Sequence, residues 1–186
     1  MRTVETKLYC FAELSEDAKS RALGIARKRV ESDPDCPAAS ECVDSLKAVA
    51  DALGYRARDW SIGPYNRSPE FDIGEDYDDA DAKPIDRVRR FLAVLVSHGY
   101  TKPVRMDRMK FPGVCGFTGV CFDEDVCETV WKSLREGHTF REAFDHAASR
   151  CCAICEDELE YQTSDEGILE MLDEKEERYT EDGNEF

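Results

Sequence analysis

The chain has 186 residues, enough for one domain with a hydrophobic core, and 41% of them are apolar, as in ordinary globular proteins. Its formal net charge of −16 argues against nucleic acid as the default partner and favours a basic surface, although acidity can also serve only solubility. The first fourteen residues lack the apolar run of a signal peptide, and no run is long enough to span a bilayer. We therefore expect a cytoplasmic protein whose nine cysteines are reduced.

Alternating polar and apolar residues at positions 2–11 predict a first strand with one buried face. Ser15 then caps a helix. The apolar stripe of this helix consists of Ala18, Ala22, Ile25 and Ala26. A second helix begins near Pro37 and ends at Gly54, and Cys42 lies on its apolar stripe, so we interpret Cys42 as a core residue.

Residues 55–74 predict a β-hairpin, because two extended runs flank a turn signal at residues 63–66. Seven acids without a base follow, namely Glu70, Asp72, Glu75, Asp76, Asp78, Asp79 and Asp81. A calcium loop would need glycine at its sixth position and glutamate at its twelfth, whereas counting from Asp76 gives Asp81 and Arg87. We interpret the segment as an acidic loop.

A basic segment follows the acidic loop. Pro84 begins a third helix, on which Arg87, Arg89 and Arg90 are predicted to face outward. Residues 82–110 contain eight basic residues against two acidic ones, a net charge of +6. This basic segment can pair with the chain's own acidic loop, with a second copy of the chain, or with phosphate.

The glycine-rich stretch at residues 111–122 matches neither a dinucleotide fingerprint nor a phosphate-binding loop, and we predict a strand and turn there. Helical spacing returns after Asp123 and again after a capping box formed by Thr139 and Glu142. A second capping box, Thr163 with Glu166, predicts a last helix. Its apolar side consists of Ile168, Met171 and Leu172, which we expect to be packed.

The C-terminal segment, residues 156–186, carries fourteen acidic residues against two basic ones, a net charge of −12. Glu166 and Glu177 are eleven positions apart, about 16 Å along a helix, so the charges between them are sparser than the one charge per about 1.7 Å of duplex DNA. They can imitate a short run of phosphates at most. The predicted partner-binding residues are Glu166, Glu170, Glu174, Glu177, Asp76, Asp78 and Asp79.

The pair Cys152-x-x-Cys155 is the natural candidate for a metal or redox site. A structural zinc site needs a second pair of ligands at close spacing, which neither Cys121 with Cys127 nor His146 supplies. Helical spacing instead places the cysteines in the core, so we predict no metal and no cofactor. No nucleophile can be paired with a base, and we predict no catalytic residues and no enzyme.

Three segments carry a resemblance to a known family: FAELSEDAK at residues 11–19, EYQTSDE at 160–166 and YTEDG at 179–183. The first resembles the opening, and the others the ending, of small accessory proteins carried by phages, prophages and plasmids. The family is similar to anti-CRISPR proteins, which block an RNA-guided nuclease. The resemblance implies an inhibitor in the cytoplasm of a bacterial host, without catalytic residues.

We therefore predict a single α+β domain over residues 1–186, with a small, mainly antiparallel sheet, about five or six helices, and an acidic C-terminal helix and tail from residue 156. The predicted function is anti-defence: binding a basic groove of a host nuclease, a CRISPR effector, through acidic surfaces. The alternative is a metal-stabilised regulatory or nucleic-acid-associated module that uses the cysteines and residues 82–110. Direct nucleic-acid binding would go through that same basic segment.

Overall fold

The computed structural model describes residues 7–32, 36–55, 57–61, 70–73, 81–103, 105, 109–111, 115–120, 122–174 and 177–186. Within these residues there are six α-helices: α1 (Glu16–Ser32), α2 (Pro37–Ala52), α3 (Pro84–Ser97), α4 (Phe122–Glu136), α5 (Phe140–Thr163) and α6 (Asp165–Glu174). Two short strands, β1 (Ala57–Ser61) and β2 (Glu70–Ile73), pair antiparallel. None of the described helices is long and apolar enough to cross a membrane.

The fold is all-α, so the predicted α+β fold with an antiparallel sheet beneath the helices is wrong. The described core is built by helices packed on one another. The β1–β2 hairpin lies where a hairpin was predicted, but two strands do not make a layer on which helices can pack. The described part of the predicted first strand holds one isolated bridge at Tyr9 and then a 3-10 turn, Phe11–Glu13.

The predicted strand at residues 111–122 is also wrong where it is described. Residues 115 and 116 have no regular structure, residues 117–120 form bends, and Phe122 already begins α4. The cause is Asp123, whose buried carboxylate accepts hydrogen bonds from the amides of Phe117 and Thr118 at 2.9 and 2.8 Å and from the Thr118 hydroxyl at 2.8 Å. These amides bind an anion, not a neighbouring strand.

The chain divides into two compact units: a central unit, residues 36–156, and a terminal unit made of residues 1–35 and 157–186. The central unit buries the apolar stripes of α2, α3, α4 and much of α5 in one cluster. Aromatic rings fill it, with Tyr55 against Phe140 at 5.5 Å and Phe91 against Trp131 at 6.4 Å between ring centroids. The helices α2, α4 and α5 therefore bury the stripes that their spacing predicted. On α3 the prediction is wrong for Ile85 and Val96, which were expected to face inward but are 45% and 42% exposed.

Two arginines that were predicted to face solvent are structural parts of the central unit. Arg87 is only 6% exposed and donates to the carbonyls of Gly137 and His138 at 3.0 and 2.9 Å, where α4 ends. Arg90 donates to the Leu53 carbonyl. Of the three arginines, Arg89 is the exposed one. Because a guanidinium has five donors, it can satisfy helix-end carbonyls that the chain itself leaves open.

The terminal unit packs α1 against α6. Ala18, Ala22 and Ala26 are buried on α1, and their small side chains let Ile168 and Leu172 of α6 approach closely. The predicted packing of α6 is therefore confirmed. The fourth residue of the predicted α1 stripe, Ile25, is 38% exposed, so its assignment to the core is wrong.

The C-terminal segment closes over this core. Tyr179 is buried and exchanges two backbone hydrogen bonds with Tyr9, each 2.9 Å long. Gly183 has a φ of +83°, and a Cβ at this position would lie 2.2 Å from the Ala18 carbonyl oxygen. Only glycine permits this approach of the chain to α1.

Truncation of one buried side chain tests the packing of α6. We expect Ile168→Ala to destabilise the terminal unit by about 2–5 kcal/mol, because the removed methyl groups leave a cavity. The matched control is the neighbouring Leu169→Ala, which removes an exposed side chain and should change the free energy of unfolding by less than about 0.5 kcal/mol. Hydrogen exchange of the α1 and α6 amides measures both. Equal effects of the two variants would contradict the packing.

Candidate protein-binding face

The outward side of α6 is the part of the predicted site that the structure presents to solvent. Its members recur at helical spacing, opposite the buried Ile168 and Leu172. They are Glu166, Leu169, Glu170 and Asp173, and we call this set, together with Tyr161, the α6 face. No described basic side chain pairs with Glu166 or Asp173.

Two apolar side chains lie among these carboxylates. Leu169 is 42% exposed and Tyr161, near the end of α5, is 46% exposed. The Tyr161 hydroxyl donates to Glu170, which fixes the ring against the acidic side of α6. The α6 face therefore combines exposed carboxylates with exposed apolar surface.

The turn between α5 and α6 fixes the direction of this face. The predicted capping residue, Thr163, is wrong by one position: its hydroxyl donates to the Leu159 carbonyl within α5. Ser164 is the cap, with its hydroxyl accepting from the Gly167 amide at 3.1 Å. A Cβ on Gly167 would lie 2.2 Å from the Tyr161 carbonyl oxygen, so glycine allows the two helices to turn this tightly.

Glu177 does not belong to this face. α6 ends at Glu174, and the Glu177 side chain is only 14% exposed. Its carboxylate receives Arg29 Nη2 at 2.9 Å and the Tyr179 hydroxyl at 2.9 Å. Burial and this hydrogen bond raise the pKa of Tyr179. Glu177 is thus an internal structural acid.

Other acids of the C-terminal segment are likewise held by arginines of α1. Arg29 Nη1 contacts Glu185 at 3.0 Å, and Arg27 pairs with Asp165. Arg21 donates to the Asp182 carbonyl at 2.9 Å. Part of the excess negative charge is therefore offset within the terminal unit, whereas Glu166 and Asp173 on the α6 face pair with no described basic side chain.

The remaining predicted binding residues cannot be placed by their side chains. Asp76, Asp78 and Asp79 lie outside the described residues. Glu174 is the last residue of α6, but its side chain also lies outside them. They stay predictions.

A cavity of about 310 Å³ adjoins the α6 face and shares Asp173 with it. It is lined by Cys10, Phe11, Ala12, Leu172, Asp173, Glu177 and Arg178. Sequence reasoning missed it, because its walls come from both ends of the chain. Arg178 contacts the Cys10 thiol across it, although the two residues are 168 positions apart.

The predicted core cysteines are confirmed as buried: Cys42, Cys127, Cys151 and Cys155 are each 0% exposed. No three histidine, cysteine, aspartate or glutamate residues of the described chain are arranged to hold a metal ion. A hydrogen bond with Cys151, together with burial, raises the pKa of Cys42. Burial also raises the pKa of Cys127, Cys152 and Cys155.

One serine–histidine contact that sequence could not have found joins Ser133 Oγ to His146 Nδ1 at 2.9 Å. Ser133 is 3% exposed, so a substrate has no access to this hydroxyl in the folded chain. The contact therefore joins a buried hydroxyl to the imidazole of an exposed histidine.

The comparisons with known proteins return nothing: no family model, no curated protein and no solved structure matches the chain.

Charge reversal at Glu177 and at Glu170 makes a matched pair of tests. We expect Glu177→Lys to destabilise the terminal unit by about 2–4 kcal/mol, because it places two cations together and leaves the Tyr179 hydroxyl unpaired. Glu170→Lys changes charge equally at an exposed position and should cost less than about 1 kcal/mol. Thermal unfolding followed by circular dichroism measures both. Equal stability of the two variants would show that the terminal unit does not depend on the contact between Arg29 and Glu177.

The buried thiols predict alkaline lability of the central unit. Their pKa values are higher in the folded chain than in the unfolded chain, so the unfolded state loses protons first and is favoured as pH rises. The stabilisation is complete below the ordinary thiol pKa, about 8.5, and is lost above it. We expect the melting temperature, followed by tryptophan fluorescence, to fall between about pH 8 and pH 10.

Two variants of α2 separate this effect from general charge repulsion. Cys42→Ala removes one titrating group and should reduce the slope of melting temperature against pH. Ser45→Ala, at a buried position that does not titrate, should lower the melting temperature and leave the slope unchanged. Identical slopes of melting temperature against pH in the wild type, Cys42→Ala and Ser45→Ala would show that ionisation of the buried thiols does not cause the alkaline loss of stability.

Proposed function

We propose that this protein is a non-enzymatic inhibitor from a mobile genetic element that binds a basic groove of a host defence nuclease. The α6 face is the contact surface. The observation that supports it is the division of the C-terminal acids: one group is neutralised by the arginines of α1, and another is exposed around Leu169 and Tyr161.

The composition of the α6 face suits recognition of a basic protein surface. Exposed apolar side chains inside a charged rim are the usual layout of a protein–protein contact, where the apolar centre provides affinity. The carboxylates of the face raise the association rate of a basic partner and repel acidic partners. The side of α6 opposite the face is buried, so the helix does not have to fold when it binds.

The size of the face limits the groove it can fill. Glu166 and Asp173 are seven residues apart, about 10 Å along the helix. A duplex presents about six phosphates over that distance, compared with three carboxylates here. The face therefore matches a short basic site, such as a position for a few phosphates inside a nuclease channel.

The nuclease itself is inferred from the resemblance of residues 11–19, 160–166 and 179–183 to phage, prophage and plasmid proteins similar to anti-CRISPR inhibitors. These segments lie in the terminal unit, the same unit that carries the α6 face. The three segments that carry the resemblance and the proposed contact surface therefore belong to the same part of the chain.

Charge reversal in a bacterium with active RNA-guided interference tests the proposal. A targeted plasmid should transform the host well when wild-type protein is present, because the nuclease is inhibited. The triple variant Glu166→Lys, Glu170→Lys and Asp173→Lys should restore interference. Binding of the purified nuclease should also weaken as salt rises, since exposed charges are screened over about 8 Å at physiological ionic strength.

The matched control reverses three exposed acids of the central unit: Asp44→Lys, Asp51→Lys and Glu128→Lys. It changes net charge by the same amount and should leave inhibition intact. Equal loss of inhibition in both triple variants would show that inhibition depends on the overall charge of the protein and not on the α6 face. Inhibition by the α6 variant at the wild-type level would exclude this face.

A further inference from the structure

The cavity of about 310 Å³ beside the α6 face is built from two segments that are far apart in the sequence. Residues 10–12 form one wall, and the end of α6 with the residues after it forms the other. Every described residue that lines the cavity belongs to the terminal unit. Its volume lies at the lower end of the range of about 300–1,000 Å³ that is usual for small-molecule sites, so it suits a small ligand.

Contacts within the chain already hold the two walls together. Tyr9 and Tyr179 exchange backbone hydrogen bonds of 2.9 Å, which join the segments next to the cavity. The Phe11 ring packs edge-on against Tyr179, with 6.2 Å between the ring centroids. The Cys10 amide donates to the Glu13 carboxylate at 2.9 Å, which fixes the turn that forms the first wall. A ligand therefore enters a preformed site and loses little affinity to ordering of the protein.

Three charged side chains are among the described residues that line the cavity, and one of them is already engaged. Glu177 is held by Arg29 at 2.9 Å. Asp173 is exposed and pairs with no described basic side chain. Arg178 is exposed and contacts the Cys10 thiol, a weak acceptor that leaves most of the five guanidinium donors for other partners. The described lining thus offers a ligand one carboxylate and one guanidinium.

Apolar groups make up much of the remaining wall. Phe11 and Ala12 come from the first segment, and Leu172 comes from α6. An apolar side chain that enters the cavity leaves water for these groups, which favours binding. The cavity therefore combines two opposite charges with an apolar surface.

We propose that this cavity binds a zwitterionic amino acid or dipeptide with an apolar side chain. The ammonium group of the ligand pairs with Asp173, and its carboxylate pairs with the guanidinium of Arg178, whose fork of donors matches a carboxylate. The apolar side chain lies against Phe11 and Leu172. A ligand with one charge alone is disfavoured, because a cation meets Arg178 and an anion meets Asp173.

Titration of the purified full chain with L-leucine and with L-leucyl-L-leucine, followed through the amide NMR signals, tests the proposal. We expect at least one of them to give saturable shifts at residues 10–12 and 172–173. The N-acetylated form of that ligand lacks the ammonium group and its amide form lacks the carboxylate. Each should bind about fivefold more weakly, because one charge-assisted contact is lost. Absence of saturable shifts at these residues would overturn the proposal, as would equal affinity for the zwitterion and both blocked forms.

Two neutralising variants assign the charges. Asp173→Asn should weaken binding of the zwitterion about fivefold and make it bind no better than its N-acetylated form. Arg178→Gln should do the same with respect to the amide form. The controls, Glu160→Gln and Lys28→Gln, neutralise exposed residues of the terminal unit outside the described lining and should bind as the wild type does. Equal losses in the cavity variants and the controls would overturn the proposal. Since no nuclease takes part, the result is independent of the proposed inhibition.

Discussion

Arg29 holds two carboxylates of the C-terminal segment, Glu177 and Glu185, at 2.9 and 3.0 Å, while Glu177 also receives the Tyr179 hydroxyl. The segment it holds is the most acidic of the chain and would repel itself without a cation. The contact places Tyr179 over the small residues of α1, where its backbone pairs with Tyr9. The Arg29 guanidinium thus holds part of the acidic segment in the core of the terminal unit, and the packing of that unit depends on this contact.

The helices could be predicted from the sequence because their apolar residues recur at a period that only a helix brings to one side. This holds for α2, α3, α4, α5 and α6. The strand predicted at positions 2–11 failed for the complementary reason: alternation over a few residues is weak evidence, and the described part of this segment pairs only through the isolated bridge from Tyr9 to Tyr179. Residues 115–120 also contain glycine and threonine, which suit a strand or a loop. Only the buried Asp123 decides between them.

The candidate site was predicted in part. Helical spacing places Glu166 and Glu170 on the outer side of α6, as the structure does. Glu177 could not be assigned, because the helix ends before it and its partner, Arg29, is 148 residues away. Arg87 and Arg90 were misplaced for the same reason: their partners are backbone carbonyls that only the folded chain brings near. Long-range pairing of a charge leaves no local signal in sequence.

The same arrangement explains why the α6 face can act as a rigid surface. A free acidic tail would carry equal charge but would have to become ordered on binding, which costs affinity. Here α6 is fixed from behind by Ile168 and Leu172, and at its start by the Ser164 cap. The arginines of α1 also pair with Asp165, Glu177 and Glu185, which offsets part of the negative charge of the terminal unit. A basic partner at the proposed face would therefore meet carboxylates in a fixed arrangement, which total charge alone cannot provide.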